Sequence, residues 1–81
     1  MILEQELKWI CEYLKIKNTK KNICEDYLDK KYIDSIGFLK FILAIEKKFK
    51  IKFNNSHFLK RDYRTPIGLS KIIKKIKKNS D

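Results

Sequence analysis

Ile2, Leu3, Leu7, Ile10, Cys11 and Leu14 recur at three- and four-residue spacing, a pattern that predicts a helix over residues 2–16 with one apolar stripe. Polar positions from Lys17 to Asn22 break the period. Ile23, Tyr27, Leu28, Tyr32 and Ile33 follow, set among Glu25, Asp26, Asp29 and Asp34. The stretch reads as a long ordered loop whose apolar residues pack down, because an unpacked connection of that length is unusual in a small domain. Asp34-Ser35 then precedes Ile36, Phe38, Leu39, Phe41, Ile42, Leu43, Ile45 and Phe49, which predict a largely buried second helix over 35–49, capped by Asp34 or Ser35.

After a brief alternation at Ile51-Lys52-Phe53, the turn residues Asn54-Asn55-Ser56 lead into a short third helix over 56–61 that holds Phe58 and Leu59. Thr65-Pro66 starts the last helix, over 66–78, since threonine suits the cap and proline the first helical position. Its apolar face is Ile67, Leu69, Ile72, Ile73 and Ile76, with Lys71, Lys74, Lys75, Lys77 and Lys78 on the remaining surface and a frayed tail beyond. The expected fold is all-α, a small four-helix bundle with a long loop between its first two helices, formed as a single domain over residues 1–81.

Composition narrows the function classes. With 81 residues and 20 Lys+Arg against 10 Asp+Glu, a net charge of +10, the chain is too short for a multidomain enzyme. Five Phe, four Tyr and one Trp argue against disorder along its length. Cys11 and Cys24 form no CxxC pair and, with the single His57, cannot supply a four-ligand zinc site, so they read as small half-buried hydrophobes. Glu4, Glu6 and Lys8 interrupt the first residues, and no eighteen apolar residues run together, which leads to the expectation of a soluble cytoplasmic protein with reduced thiols.

The charge suggests nucleic acid, but eighteen of the twenty basic residues are Lys and only Arg61 and Arg64 are Arg, which disfavours specific base readout. Thirteen Ile and one Ala accompany the lysines, a bias that AT-rich codon usage produces without selection for a basic surface.

The order of long helix, long loop, central helix opened by Asp-Ser, short helix and final helix resembles the acyl carrier protein family. Asp34-Ser35-Ile36 is similar to that family's Asp-Ser-Leu attachment motif, and Leu43-Ala44-Ile45-Glu46-Lys47-Lys48-Phe49-Lys50-Ile51 to the helix and turn that follow it. The chain is most similar to the D-alanyl carrier proteins of teichoic acid modification. That likeness lies in Ile33-Asp34-Ser35-Ile36-Gly37 and in Phe58-Leu59-Lys60-Arg61-Asp62-Tyr63-Arg64-Thr65-Pro66. Lys31 and Tyr63 depart from it, standing where the subgroup often has glycine and tryptophan.

The resemblance implies that Ser35 accepts 4′-phosphopantetheine from coenzyme A through a separate phosphopantetheinyl transferase. A hydroxyl at a helix start suits this independently, being exposed beside unpaired amides that favour a phosphodiester. Asp34 is then the neighbouring acid of the motif, a cap and a contact for the transferase. On this resemblance the chain itself would be a monomeric, non-catalytic carrier, loaded by an adenylating ligase or other acyl-loading enzyme and discharged by a downstream acyltransferase or condensing enzyme. Lys40 and whichever of Ile36, Phe38, Leu39 and Ile42 faces outward would contact partners, most of the apolar ones being expected in the core. Lys40, Lys47, Lys48 and Lys50 against Glu46 alone make the second helix basic, which points to partners with acidic patches. The alternative is a small basic domain that binds nucleic acid or an anionic membrane surface through the lysine face of its last helix.

Overall fold

The first helix, α1, spans Gln5–Leu14 in a computed structural model that describes residues 5–79. A one-turn helix α2 (Lys20–Ile23), the long helix α3 (Ser35–Phe49), two 3₁₀ turns (Asn55–Phe58 and Arg61–Arg64) and α4 (Pro66–Asn79) follow, with no strand among the described residues. Ile2 and Leu3 of the predicted first stripe, and the residues beyond Asn79 where a frayed tail is expected, lie outside the described residues.

Three of these elements correct the sequence expectation. The first helix stops at Leu14 because Lys15 turns left-handed at φ 59°, its N–H donating to Glu12 O and that of Ile16 to Cys11 O. This is the 6→1, 5→2 closure that satisfies the last carbonyls of a helix. The predicted long loop contains α2, started by Thr19, whose Oγ1 accepts from Asn22 N at 3.2 Å. The predicted third helix over 56–61 is instead two separate 3₁₀ turns: Leu59 and Lys60 part them, and Lys60 takes an extended conformation.

Left-handed lysines make two further exits, the first with the same closure and the second with both amides on one carbonyl, since Lys50 N also donates to Glu46 O. Lys31 (φ 59°) ends the turn that follows Tyr27, with Lys31 N donating to Leu28 O and Tyr32 N to Tyr27 O. Lys50 (φ 55°) ends α3, with Ile51 N donating to Glu46 O. At each, an apolar residue follows the lysine (Ile16, Tyr32 and Ile51), as this motif favours.

Burial follows the helical stripes. Ile10 and Leu14 of α1, Phe41 and Ile45 of α3, and Leu69 and Ile73 of α4 meet in one core with Tyr27 and Ile51, and Leu7, Cys11 and Ile23 form a smaller cluster. Trp9 lies half-buried over Phe41, rings 6.2 Å apart and nearly parallel, and meets Phe49 edge-on. Cys11 is buried as expected of a small hydrophobe, whereas Cys24 is exposed, the residue after α2 where no core reaches it.

A buried acid joins the first and last helices. Glu6 is 7% exposed and its Oε2 accepts from Lys77 Nζ at 2.8 Å. Burial pushes the Glu6 carboxyl up, but the Lys77 hydrogen bond and the Lys77 and Lys74 charges outweigh it and hold its pKa below the ordinary value. A carboxyl lowered in the folded state adds stability above its unfolded pKa and loses it as pH falls through the folded one. Thermal midpoints of the wild-type and Glu6→Gln chains should therefore differ by a constant amount from pH 7 to about pH 5, and converge on further acidification.

The loop before α3 is clasped to the second 3₁₀ turn. Asp26 Oδ1 accepts from Leu28 N and Asp29 N, while its Oδ2 accepts from Arg64 Nε at 2.6 Å. Tyr27 is fully buried: its N–H donates to Arg64 O at 3.0 Å and its hydroxyl to Tyr63 O. Removing that hydroxyl as Tyr27→Phe strands a carbonyl on the inside, at a cost of about 1–3 kcal/mol that urea denaturation would register as a lower midpoint with an unchanged slope.

Candidate functional site

Asp34 takes extended backbone angles and caps α3, its Oδ1 accepting from Gly37 N at 2.6 Å. Of the two candidate caps, the aspartate therefore acts and Ser35 is left as the first helical residue. Ser35 is exposed, and its hydroxyl has no hydrogen-bond partner among the described residues. The first amides of a helix carry no intrahelical acceptor, so this hydroxyl stands where a negative charge is stabilised. Glycine at the third position lets the preceding loop come close: a Cβ on Gly37 would lie 2.9 Å from Ile33 Cγ1 and 3.0 Å from Asp34 Oδ1.

Along α3 the apolar residues are not all core, contrary to the sequence expectation. Ile36 is 69% exposed and Leu39 and Leu43 are each 64% exposed, while Phe38 and Ile42 are half-buried. The dense apolar pattern covers more of the helix than the domain can bury, and only Phe41 and Ile45 are fully enclosed. Lys40 is exposed.

A groove of about 440 Å³ runs beside α3, lined by Phe38, Leu39, Ile42 and Leu43 on one side and by Phe58 and Tyr63 on the other. Positions 35, 38, 39 and 42 fall at three-, four- and seven-residue spacing, so Ser35 stands at the head of the helix face that forms the groove wall. Phe38 anchors the floor, with its ring 5.6 Å from Tyr63, 6.4 Å from Phe58 and 6.2 Å from Tyr27. Sequence reasoning singles out Ser35 and Asp34 above the groove and Phe38 and Leu39 of its wall, but not the opposite wall. The signal for it was the pair of aromatics, Phe58 and Tyr63, flanking charged residues just before Thr65-Pro66.

The electrostatic surroundings of α3 are basic. Lys40, Lys47, Lys48 and Lys50 carry exposed charges, whereas Glu46 accepts from Phe53 N at 2.8 Å and so holds the following turn. In α4 the basic face is partly committed inward, with Lys77 bonded to Glu6 and its Nζ 5.4 Å from the Phe49 ring centre.

His57 sits in the first 3₁₀ turn, where its Nδ1 accepts from Asn54 N at 3.0 Å while Asn54 Oδ1 accepts from Ser56 N at 2.9 Å. It is a capping residue. Among the described residues no three His, Cys, Asp or Glu stand together to hold a metal ion, and no helix is long and apolar enough to cross a membrane.

Comparisons of the chain with protein-family models, with curated proteins and with solved structures return no match. The chemistry of the site rests on its own geometry.

Proposed function

We propose that the chain is a carrier that holds an acyl or aminoacyl group as a thioester on a 4′-phosphopantetheine arm attached at Ser35. One observation carries this reading: the unengaged Ser35 hydroxyl at the open end of α3, with Asp34 taking the capping role, heads a helix face that continues into an apolar groove. The residues present fit the group. The free amides of the first turn favour the phosphodiester, and the groove offers the rest of the arm or its cargo an apolar surface to lie against.

The bound arm supplies the thiol that forms the thioester, and tethering raises the cargo's effective concentration at each partner. The chain's own part is to present the hydroxyl and to dock. Asp34, the neighbouring carboxylate, is engaged as the helix cap through Gly37 N, so a separate transferase would supply the proton acceptor for attachment. An adenylating ligase or acyl-loading enzyme would load the thiol, and an acyltransferase or condensing enzyme would discharge it. Ile36, Leu39 and Lys40, exposed around Ser35, would meet these partners, and the four lysines of the α3 region favour acidic patches on them.

The test is intact-mass measurement after incubation of the full chain with coenzyme A and a broad-specificity phosphopantetheinyl transferase. Gain of a single prosthetic group supports the reading. An unchanged mass, under conditions that fully modify a control carrier, overturns it.

A further inference from the structure

A second cleft, of about 580 Å³, lies between the 3₁₀ turns and the first half of α4. Its residues share nothing with those of the α3 groove. Lys60, Lys71 and Lys75 line it, all three exposed and none in an ion pair among the described residues. Lys71 and Lys75, four residues apart, rise from one face of α4, and Lys60 joins the lining from the link between the two 3₁₀ turns. The single carboxylate in the lining is Asp62, so three ammonium groups stand against one negative charge.

Neutral donors add to the lysines. The His57 ring accepts at Nδ1 from the Asn54 amide, which leaves Nε2–H as its free donor, and His57 lines the cleft. Ile67, the second residue of α4, also lines it, and its N–H has no acceptor among the described residues because Thr65 Oγ1 takes the Gly68 N–H at 3.1 Å instead. Besides Ser56, Thr65 and Gly68, the lining holds apolar surface from Leu59, which is 81% exposed, and from Ile67 and Ile72.

We propose that this cleft binds a phosphorylated small molecule of nucleotide size, its phosphates held by Lys60, Lys71 and Lys75 and its less polar body resting on Leu59, Ile67 and Ile72. Cations gathered around a concavity of several hundred Å³ with an apolar floor match the pattern of small-ligand sites. That two elements contribute lysines to the lining of one concavity separates this site from the solvated lysine face of a single helix. The inference does not rest on the carrier reading, because Ser35 is no part of the cleft.

The experiment is an amide NMR titration of the isotope-labelled full chain at physiological ionic strength, with ADP, inorganic pyrophosphate and adenosine as separate probes. ADP should give saturable shifts confined to residues 56–75. Pyrophosphate should act on the same residues at least tenfold more weakly, and adenosine should leave the spectrum unchanged. A Lys71→Gln/Lys75→Gln chain should lose at least tenfold in ADP affinity. Leu59→Ser, at an exposed position, should weaken ADP and leave pyrophosphate unaffected. The same ADP titration on Ser35→Ala should match wild type, which keeps this result separate from the fate of the carrier reading.

Absence of saturable ADP shifts overturns the proposal. So do shifts spread equally over Lys47, Lys48 and Lys78, which mark a diffuse cationic surface, and equal affinity for ADP and pyrophosphate, which removes the nucleotide-sized body. A short single-stranded oligonucleotide that shifts the whole of α4 and binds more tightly than ADP reassigns the surface to a polymer and likewise overturns it.

Discussion

A Ser35→Ala chain should remain at its starting mass with coenzyme A and transferase while the wild-type chain is modified to completion, an all-or-none difference at a single oxygen atom. The substitution is well suited to the question, because the Ser35 hydroxyl bonds to nothing among the described residues and Asp34, not Ser35, caps the helix. Circular dichroism and the thermal midpoint should therefore be unmoved, and loss of modification cannot be traced to unfolding. The other described serines supply the controls. Ser56 already directs its hydroxyl to Asn54 Oδ1, and Ser70 is fully buried with its hydroxyl donating to Ile67 O at 2.8 Å. Neither presents a free nucleophile at the start of a long helix, so Ser56→Ala should be modified as fast as wild type. Modification that persists in Ser35→Ala would refute the assignment.

Gly68→Ala should be the most damaging change of a single methyl group in the described fold. A Cβ at this position would lie 1.9 Å from Asp62 O and 2.8 Å from both Asp62 C and Thr65 Oγ1. Two of those atoms are backbone and cannot rotate away. Relief requires α4 to move off the second 3₁₀ turn, and that turn holds Tyr63 and Arg64, the partners of Tyr27 and Asp26. Overpacking costs about 1–3 kcal/mol and occasionally more, and disturbing the Thr65 cap adds about 1 kcal/mol. Together these approach half the stability of a domain this size. Gly37→Ala is the informative comparison, because its clashes are with side-chain atoms of Ile33 and Asp34, which can adjust. In urea denaturation Gly68→Ala should lose several times as much as Gly37→Ala. Similar losses would show that the contact at Asp62 yields as easily as a side chain.

The helices that could be read from sequence were those whose stripes are long and whose starts carry strong chemistry. Leu7, Ile10, Cys11 and Leu14 are buried as their spacing requires, Asp34 caps α3, and Thr65 and Pro66 start α4 where they should. The errors have definite physical causes. A left-handed lysine gives no warning of a helix end, since that position is normally marked by glycine, so the apolar stripe predicts a first helix that runs past Leu14. Four residues in α2 are too few to show a period. The apolar run of α3 gives no clue to which side a small core will leave uncovered: it reads as largely buried, whereas Ile36, Leu39 and Leu43 lie outside. Ser35 and Asp34 needed only local reading, whereas the groove wall of Phe58 and Tyr63 and the cleft of Lys60, Lys71 and Lys75 are assembled from segments whose meeting only tertiary structure reveals.

The three left-handed lysines have a consequence for how this chain can change. Each occupies backbone space that disfavours a side chain by roughly 1–2 kcal/mol, while both glycines of the chain are employed elsewhere for close approach. The molecule is thus held together in spite of its helix exits, by aromatic stacking and the clasp at Asp26. Later mutations that erode those two features meet a thin margin, and the exits at Lys15, Lys31 and Lys50 are where evolution, or an engineer, has the most room to restore it.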